Sequence, residues 1–532
     1  MNSWPRHPTV YEINTWAWLT DLSRDGARRV TLGDVPQAEL ERLASRGFAA
    51  VWLMGVWERS PAARAFSRTD PSLREEYART LPDFTDEDIV GSPYAIKNYG
   101  VDPSLGGDDG LADLRARLAA LGLRLVLDFV PNHMATDHPW LASRPSRFVQ
   151  GDDEQLAREP QNYFRAGTEE HAGKGEGAGE GEEASELEEA GESGSAGEGG
   201  GAGEAERGRV FAHGRDPYFP GWRDTAQLDY RRAETREAMA RELLSVAAKC
   251  DGVRCDMAML VTREVFTRTW GGDFDDIRAE FWPEAVARVR AEHPGFLFMA
   301  EVYWDMEYSL QQQGFDFAYD KRLYDRLLRD EAPSVRAHLR ADLGYQNRLA
   351  RFVENHDEPR ALSAFGPARA RAASALALTL TGLRLLHEGQ LEGRRTKLSV
   401  HLGRRPPETP DAETEEHYRR LLAALAHRVF HEGDWRLIEP RAAWAGNPGH
   451  ENFAASLWTS GEDLRLVAVN LSDSRAQCYL PLELPALAGH AWLLSDALSD
   501  AQYLRDGDAL LAPGLYLDVP AYGHHLFELA RR

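Results

Sequence analysis

The chain has 532 residues, of which 43% are hydrophobic and 10% aromatic, and a formal net charge of -23. Such a length exceeds one ordinary domain and suits a large barrel with one or two smaller modules. The charge excludes nucleic acid and anionic membranes as partners, since both demand an excess of Lys and Arg.

The N-terminal stretch MNSWPRHPTVYEIN lacks the apolar core of a secretory signal. Short apolar runs then recur along the chain: TVYEIN (9–14), AAVWLM (49–54), LRLVLDFV (123–130), DGVRCDM (251–257), GFLFMAEV (295–302), FDFAYD (315–320), RFVENHD (351–357) and LRLLHEG (383–389). Most are continuously apolar, as parallel strands buried on both faces should be. Helix-like stretches lie among them at 110–121, 232–249, 276–292, 322–340, 367–380 and 414–429. Eight strands with interleaved helices predict an α/β fold, a (β/α)8 TIM barrel. A doubly wound open sheet would show similar local patterns. The catalytic barrel is assigned to residues 1–133 and 231–432, with a small domain inserted at 134–230, after strand 3. Within it, residues 166–209 hold thirteen Glu against three basic residues and are otherwise mostly Gly, Ala and Ser. This composition cannot bury a core and predicts a disordered acidic loop. Residues 433–532 carry short strands separated by turn residues, a pattern that predicts a C-terminal antiparallel β-sandwich. No apolar run approaches the ~20 residues of a membrane helix. The three cysteines, Cys250, Cys255 and Cys478, form neither a disulfide framework nor a zinc site. A soluble, cytoplasmic protein is the expectation.

Several candidate strands end in polar residues. These are Asn132 and His133 after DFVP, Asp256 after GVRC, Glu301 after FLFMA, and His356 with Asp357 after FVEN. A parallel barrel gathers its strand C-termini on one face, where active sites lie. A retaining glycosidase needs one carboxylate to attack the anomeric carbon and a second, about 5 Å away, to protonate the leaving oxygen. Arg254 shares a strand face with Asp256 at i, i+2 and favours its ionised form. Taken singly, each carboxylate reads more simply as a cap or loop hydrogen bonder, and His133 as a structural histidine.

The same residues carry a family resemblance. DFVPNH (128–133), GVRCD (252–256), AEVYW (300–304) and FVENHDEPR (352–360) resemble the four short motifs of the α-amylase family, glycoside hydrolase family thirteen. VYEINTWAWL, SPYAIKNYGVDPSLGG and WRDTAQLDY (222–230) extend the likeness over most of residues 9–430. The resemblance implies Asp256 as nucleophile, Glu301 as acid/base and Asp357 as a grip on the hydroxyls of the reacting sugar. It implies Arg254, His133 and His356 as ligands around that sugar, and Tyr94 as a ring stacked beneath it. No cofactor is required. The family often carries calcium, and Asn132 and Asp128 stand near where it is supported; a structural hydrogen-bond role is the alternative for both.

Two departures bear on specificity. Met259 and Leu260 replace a Lys and His found in many amylases and are expected to make the leaving-group side apolar. Gly91 stands three residues before Tyr94, where many exo-acting α-glucosidases have Asp. Trp304, just after Glu301, is a candidate wall for the leaving group. The expected function is hydrolysis of α-glucosidic bonds in α-glucans or malto-oligosaccharides by double displacement. The alternatives are a maltosyl or glucosyl transferase, or a trehalose-related transglycosidase, on the same scaffold, and a non-catalytic amylase-like binding protein.

Overall fold

A computed structural model describes residues 4–25, 28–166, 208–276 and 280–532. Eight parallel strands close into a barrel. They are β1 (Thr9–Asn14), β2 (Ala50–Met54), β3 (Arg124–Phe129), β4 (Gly252–Cys255), β5 (Leu297–Ala300), β6 (Phe317–Tyr319), β7 (Leu349–Arg351) and β8 (Leu383–His387). Neighbours in sequence are neighbours in the barrel, and β8 closes onto β1 through the pair Val10↔Leu385. The strands are buried along nearly their whole length, which accounts for their unbroken apolar runs.

All eight predicted strands are present, but β7 is displaced. The sequence placed it at 351–357; the ladder runs over Leu349–Arg351. The chain leaves the sheet because the Asn355 side chain accepts from the backbone N–H groups of Asp357 and Glu358, both at 2.9 Å. This local turn competes with the ladder and throws His356 and Asp357 onto the rim. The helix expected over 322–340 is two, Lys321–Arg329 and Ala332–Leu339. Pro333 explains the break: it has no N–H to continue a helix and sits in the first turn of the second one.

Between β3 and β4, His133–Ala135 pairs antiparallel with Thr225–Gln227. Beside them lies a small sheet of Gln150–Gly151, Arg209–Ala212 and Tyr163–Ala166. Most of the acidic segment 166–209 lies outside the described residues. Its first and last residues, Ala166 and Arg209, are paired with each other in that sheet. Between β2 and β3 lies a further elaboration that the sequence reading did not set apart as a unit: Trp57–Arg59 pairs with Ile96–Val101, and helices Pro61–Thr69 and Pro71–Thr80 lie in the same segment.

The C-terminal region is a β-sandwich of a six-stranded and a three-stranded antiparallel sheet. Its own core contains Leu466, Leu494, Leu515 and Phe527. One side is continuous with the barrel's core through Trp458, Val467 and Leu526. Trp458 is fully buried, and its indole N–H donates to the Thr379 carbonyl at 2.7 Å. The ring meets Phe430 edge-on at 5.6 Å. Trp458→Ala should therefore cost ~3–5 kcal/mol and uncouple the sandwich from the barrel. Calorimetry is expected to show a lower melting temperature and a split transition; an unchanged single transition would refute the anchoring role.

Candidate active site

The polar residues that follow β3, β4, β5 and β7 converge on one face of the barrel. Their centre is Arg254, inside β4 and fully buried. One terminal nitrogen donates to Asp256 Oδ1 at 2.8 Å and the other to Glu301 Oε2 at 2.6 Å. Asp128 Oδ1 lies 3.6 Å and Asp357 Oδ2 3.8 Å from the same guanidinium. The faces of Trp52, Tyr94 and Tyr319 surround it at 5.2–6.0 Å. Register explains the meeting. Arg254 pairs with Asp128 on β3 and with Met299 on β5, so Glu301, two residues beyond Met299, stands level with Asp256.

Glu301 accepts two further hydrogen bonds, from the Met257 backbone N–H at 2.8 Å and the Tyr303 hydroxyl at 2.9 Å. Met257 can present its N–H because its backbone is left-handed, at φ 39°. Asp256 and Glu301 are buried, whereas the Asp357 side chain is 40% exposed at the mouth. Burial raises the Asp256 pKa above the ordinary carboxylate range. Arg254 opposes the rise; Glu301, Asp357 and Asp128 add to it. Burial likewise pushes Asp128 up to about 6.

His356 is held from both sides. Its Nδ1 bonds the fully buried Glu12 of β1, and its Nε2 lies 2.9 Å from Asp357 Oδ2 and 2.6 Å from the Tyr94 hydroxyl. Burial alone would lower the imidazole pKa; Asp357 and Glu12 more than reverse this and raise it to about 10. Tyr94 is thus brought to the cluster, tilted against His356 and over Arg254. His133 is buried beside Trp222, and burial lowers it to about 4, so its ring is neutral at pH 7. Its Nε2 has no protein partner, which leaves it free for a ligand hydroxyl.

The calcium expectation does not fit here. The Asn132 carbonyl and Oδ1 both accept from the Gln227 amide, at 2.9 and 3.0 Å. The Asp128 carboxylate takes the Trp52 indole N–H at 3.2 Å and the Gly55 N–H at 3.1 Å. Calcium needs six to eight oxygens, and these are already engaged by donors. Among the described residues no group of three or more His, Cys, Asp or Glu is placed to hold a metal ion.

Met259 and Leu260 are buried in a turn over Ala258–Val261 and are absent from the lining of the cavity beside Glu301. Both belong to the barrel's continuous core, and in the same turn the Ala258 carbonyl accepts from the Trp282 indole N–H at 2.8 Å. The wall beside Glu301 is made instead by Met257, Tyr303, Trp304 and Phe219, around a cavity of about 450 Å³. Trp304 has a left-handed backbone at φ 63° and meets Tyr218 edge-on at 5.0 Å, with Arg268 over both rings. Gly91 has φ +85°, and a Cβ there would meet Arg64 Cα at 3.2 Å. An Asp at this position would be strained and crowded. Sequence reasoning missed Glu12, Tyr303 and Met257. Tyr303, at i+2 from Glu301, and Met257, directly after Asp256, both lay beside predicted site residues, but Met257 acts through its backbone N–H, which no side-chain pattern records.

The family model for the α-amylase catalytic domain matches residues 37–416. The chain belongs to the α-amylase family. Within this family, an α-1,4-glucan:maltose-1-phosphate maltosyltransferase from Burkholderia pseudomallei is 30% identical over 156 residues, 28% of this chain and 12% of that protein. An α-amylase from Haloarcula japonica is 26% identical over 188 residues, 34% of this chain and 26% of that one. The chain thus spans about a quarter or less of these relatives' lengths. Among solved structures, the α-amylase of Geobacillus thermoleovorans complexed with acarbose superposes with a TM-score of 0.64 at 16% identity, covering 100% of this chain and 99% of that one. A maltogenic α-amylase from Thermotoga neapolitana gives 0.62 at 17% identity, covering 99% of each. At these identities the structures show the shared fold.

Two predictions follow from the electrostatics. The raised His356 pKa means that the imidazolium stabilises the fold fully below pH ~6.5, a contribution lost as pH rises through about 10. Glu12→Gln should lower that value and move the alkaline limb of kcat/KM down by about one unit or more, and Glu12→Asp should restore it. An unmoved limb would remove Glu12 from this role. The raised Asp256 pKa has the opposite consequence for stability: the carboxyl becomes a cost as pH rises above the ordinary carboxylate range. Asp256→Asn should melt higher than wild type at pH 8 and equal to it near pH 4. Equal melting at both values would contradict the burial penalty.

Proposed function

We propose that this chain is a retaining glycosidase that cleaves α-glucosidic bonds in α-glucans or malto-oligosaccharides. The observation that carries the reading is the fork of Arg254, which holds Asp256 and Glu301 side by side at the strand ends. One guanidinium spanning both carboxylates is compatible with the roughly 5 Å separation of a double displacement. Asp256 attacks the anomeric carbon while Glu301 gives its proton to the departing glycosidic oxygen. Glu301 then takes a proton from water, whose oxygen displaces Asp256 from the sugar. Asp357 and His356 grip the ring hydroxyls, Tyr94 supplies a face beneath the ring, and neutral His133 donates to a further hydroxyl.

A second reading has a specific observation in its favour. The wall beside Glu301 carries Tyr218 and Phe219, 60% and 66% exposed, next to Trp304. Such faces hold an acceptor sugar and keep water from the covalent intermediate, as a transglycosidase requires. The 30% identity to a maltosyltransferase supports the same reading.

On this reading, residues 1–133 and 231–432 form the catalytic barrel, 134–230 an inserted domain and 433–532 the sandwich. Three buried, unpaired cysteines favour a reducing, cytoplasmic setting. No helix among the described residues is long and apolar enough to cross a membrane.

Glu301→Gln should lose about 10²–10⁴-fold on ordinary glycosides and yet accept an α-glycosyl fluoride, whose leaving group needs no proton. Its intermediate should then persist, because the base for water is absent. Intact-protein mass spectrometry should show one added sugar unit, on the peptide containing Asp256. The wild type should release the α-anomer first. Initial release of the β-anomer, or a label on another peptide, would overturn the assignment.

A further inference from the structure

Away from the carboxylate cluster, the elaboration between β2 and β3 lines, together with Trp16, an open cleft of about 680 Å³. An adjoining cavity of about 480 Å³ shares Trp16 and Ser104 with it. Among the described residues their linings present six arginines, Arg24, Arg28, Arg29, Arg59, Arg64 and Arg68, against two aspartates, Asp86 and Asp102. The chain as a whole has 62 basic residues against 85 acidic ones, so this surface inverts the charge of the molecule.

The protein's own carboxylates neutralise it only in part: Arg24 and Arg28 lie 3.9 and 3.8 Å from Asp21 and Asp34. Arg29 donates to the Ser104 carbonyl at 2.7 Å. Asp86 is taken by Arg74 at 2.7 Å, and Asp102 Oδ1 accepts from the Ser104 N–H and hydroxyl at 2.8 and 2.5 Å. Arg64 donates to the Ile89 carbonyl at 2.7 Å and Arg68 to the Asp86 carbonyl at 2.9 and 3.1 Å. Arg59 is only 8% exposed. It bonds the Gly91 carbonyl and lies over the Trp16 ring at 5.1 Å, and its Nε and Nη2 have no partner. A buried guanidinium without a counterion is costly. Burial lowers the Arg59 pKa to about 9, and burial with Arg68 lowers that of Arg64. Arg64 and Arg68 are four residues apart on helix Pro61–Thr69 and so share one face.

We propose that this arginine-lined double cavity is a second ligand site, for a sugar phosphate. The arginines match the bidentate geometry and dianionic charge of a phosphate monoester. Trp16 and Ser104 line both cavities, and the hydroxyl oxygens of Thr69 and Ser104, whose protons go to the Ala65 carbonyl and Asp102, serve as acceptors for the sugar's hydroxyls. Each of the two cavities lies within the range of small-molecule sites, about 300–1,000 Å³, and far exceeds a bare phosphate. Neither cavity is lined by Asp256, Glu301 or Asp357.

Titration calorimetry on the full chain at low salt would use glucose 6-phosphate, glucose 1-phosphate, inorganic phosphate and glucose. At least one hexose phosphate should bind about tenfold or more tightly than either phosphate or glucose. The double variant Arg64→Glu/Arg68→Glu should lose that binding by about tenfold or more, while it still melts cooperatively and hydrolyses the α-glycosyl fluoride at the wild-type rate. Glu301→Gln should bind as wild type does. Four outcomes would overturn the proposal: no hexose phosphate bound at millimolar concentration, inorganic phosphate bound as tightly as the esters, binding unchanged in the double variant, or binding lost in Glu301→Gln.

Discussion

The site depends on one desolvated cation. Arg254 has no exposure to solvent and faces four carboxylates, two of them in direct hydrogen-bond contact. A guanidinium in that position is tolerable only because its charge is matched and its donors are used. The carboxylates depend on it in turn. Asp128, Asp256 and Glu301 are all buried and would repel one another without it. With Glu12 and Asp357 included, five carboxylates answer to Arg254 and the imidazolium of His356. When all are ionised, the cluster is negative. Burial raises Asp256 in the resting state and that imbalance adds to the rise; the imbalance also favours the positive charge that grows on a sugar ring as the glycosidic bond breaks. The same excess charge is thus a cost to folding and a benefit to the reaction.

The barrel makes this arrangement possible without local sequence contact. Its strands advance in register, so a residue's height above the sheet follows from its position in the strand. Arg254 stands beside Asp128 and Met299; Asp256 and Glu301 lie one step above them. Backbone bonds fix the step: the Glu301 N–H donates to the Cys255 carbonyl at 3.0 Å, and the Ala258 N–H to the Glu301 carbonyl at 3.0 Å. The strands end where these side chains begin. Polar groups at that height have left the ladder and can take partners from neighbouring strands.

This regularity explains what could be read from the sequence. Continuous apolar runs mark the eight strands, and the polar residue after each run marks the rim, so Asp256, Glu301 and Asp357 were visible as a set. The partners of these residues were not. Glu12 lies inside an apolar strand, 344 residues from the histidine it holds, and reads there as an ordinary alternation. Met257 contributes through its backbone, which no side-chain motif records. Met259 and Leu260 were read as part of an open wall because their relation to Asp256 in sequence was known, while the tight turn that buries them was not. The end of β7 was misplaced for a related reason: Val353 is apolar and extends the pattern, but the Asn355 turn decides where the ladder stops.

The Gly91–Tyr94 segment ties these local facts together. Its carbonyl at Gly91 accepts from buried Arg59, its Ser92 hydroxyl accepts from the Tyr94 N–H at 3.1 Å, and its Tyr94 hydroxyl reaches His356. The left-handed backbone at Gly91 allows the carbonyl to face Arg59 while the following residues turn toward the barrel mouth. A side chain at position 91 would collide with the helix that carries Arg64. The absence of an Asp there is therefore a consequence of how this chain builds the wall behind Tyr94. Arg64 occupies the space that a side chain would need, and the left-handed glycine carries the chain from Val90, beside the arginines, to Tyr94, whose hydroxyl reaches His356.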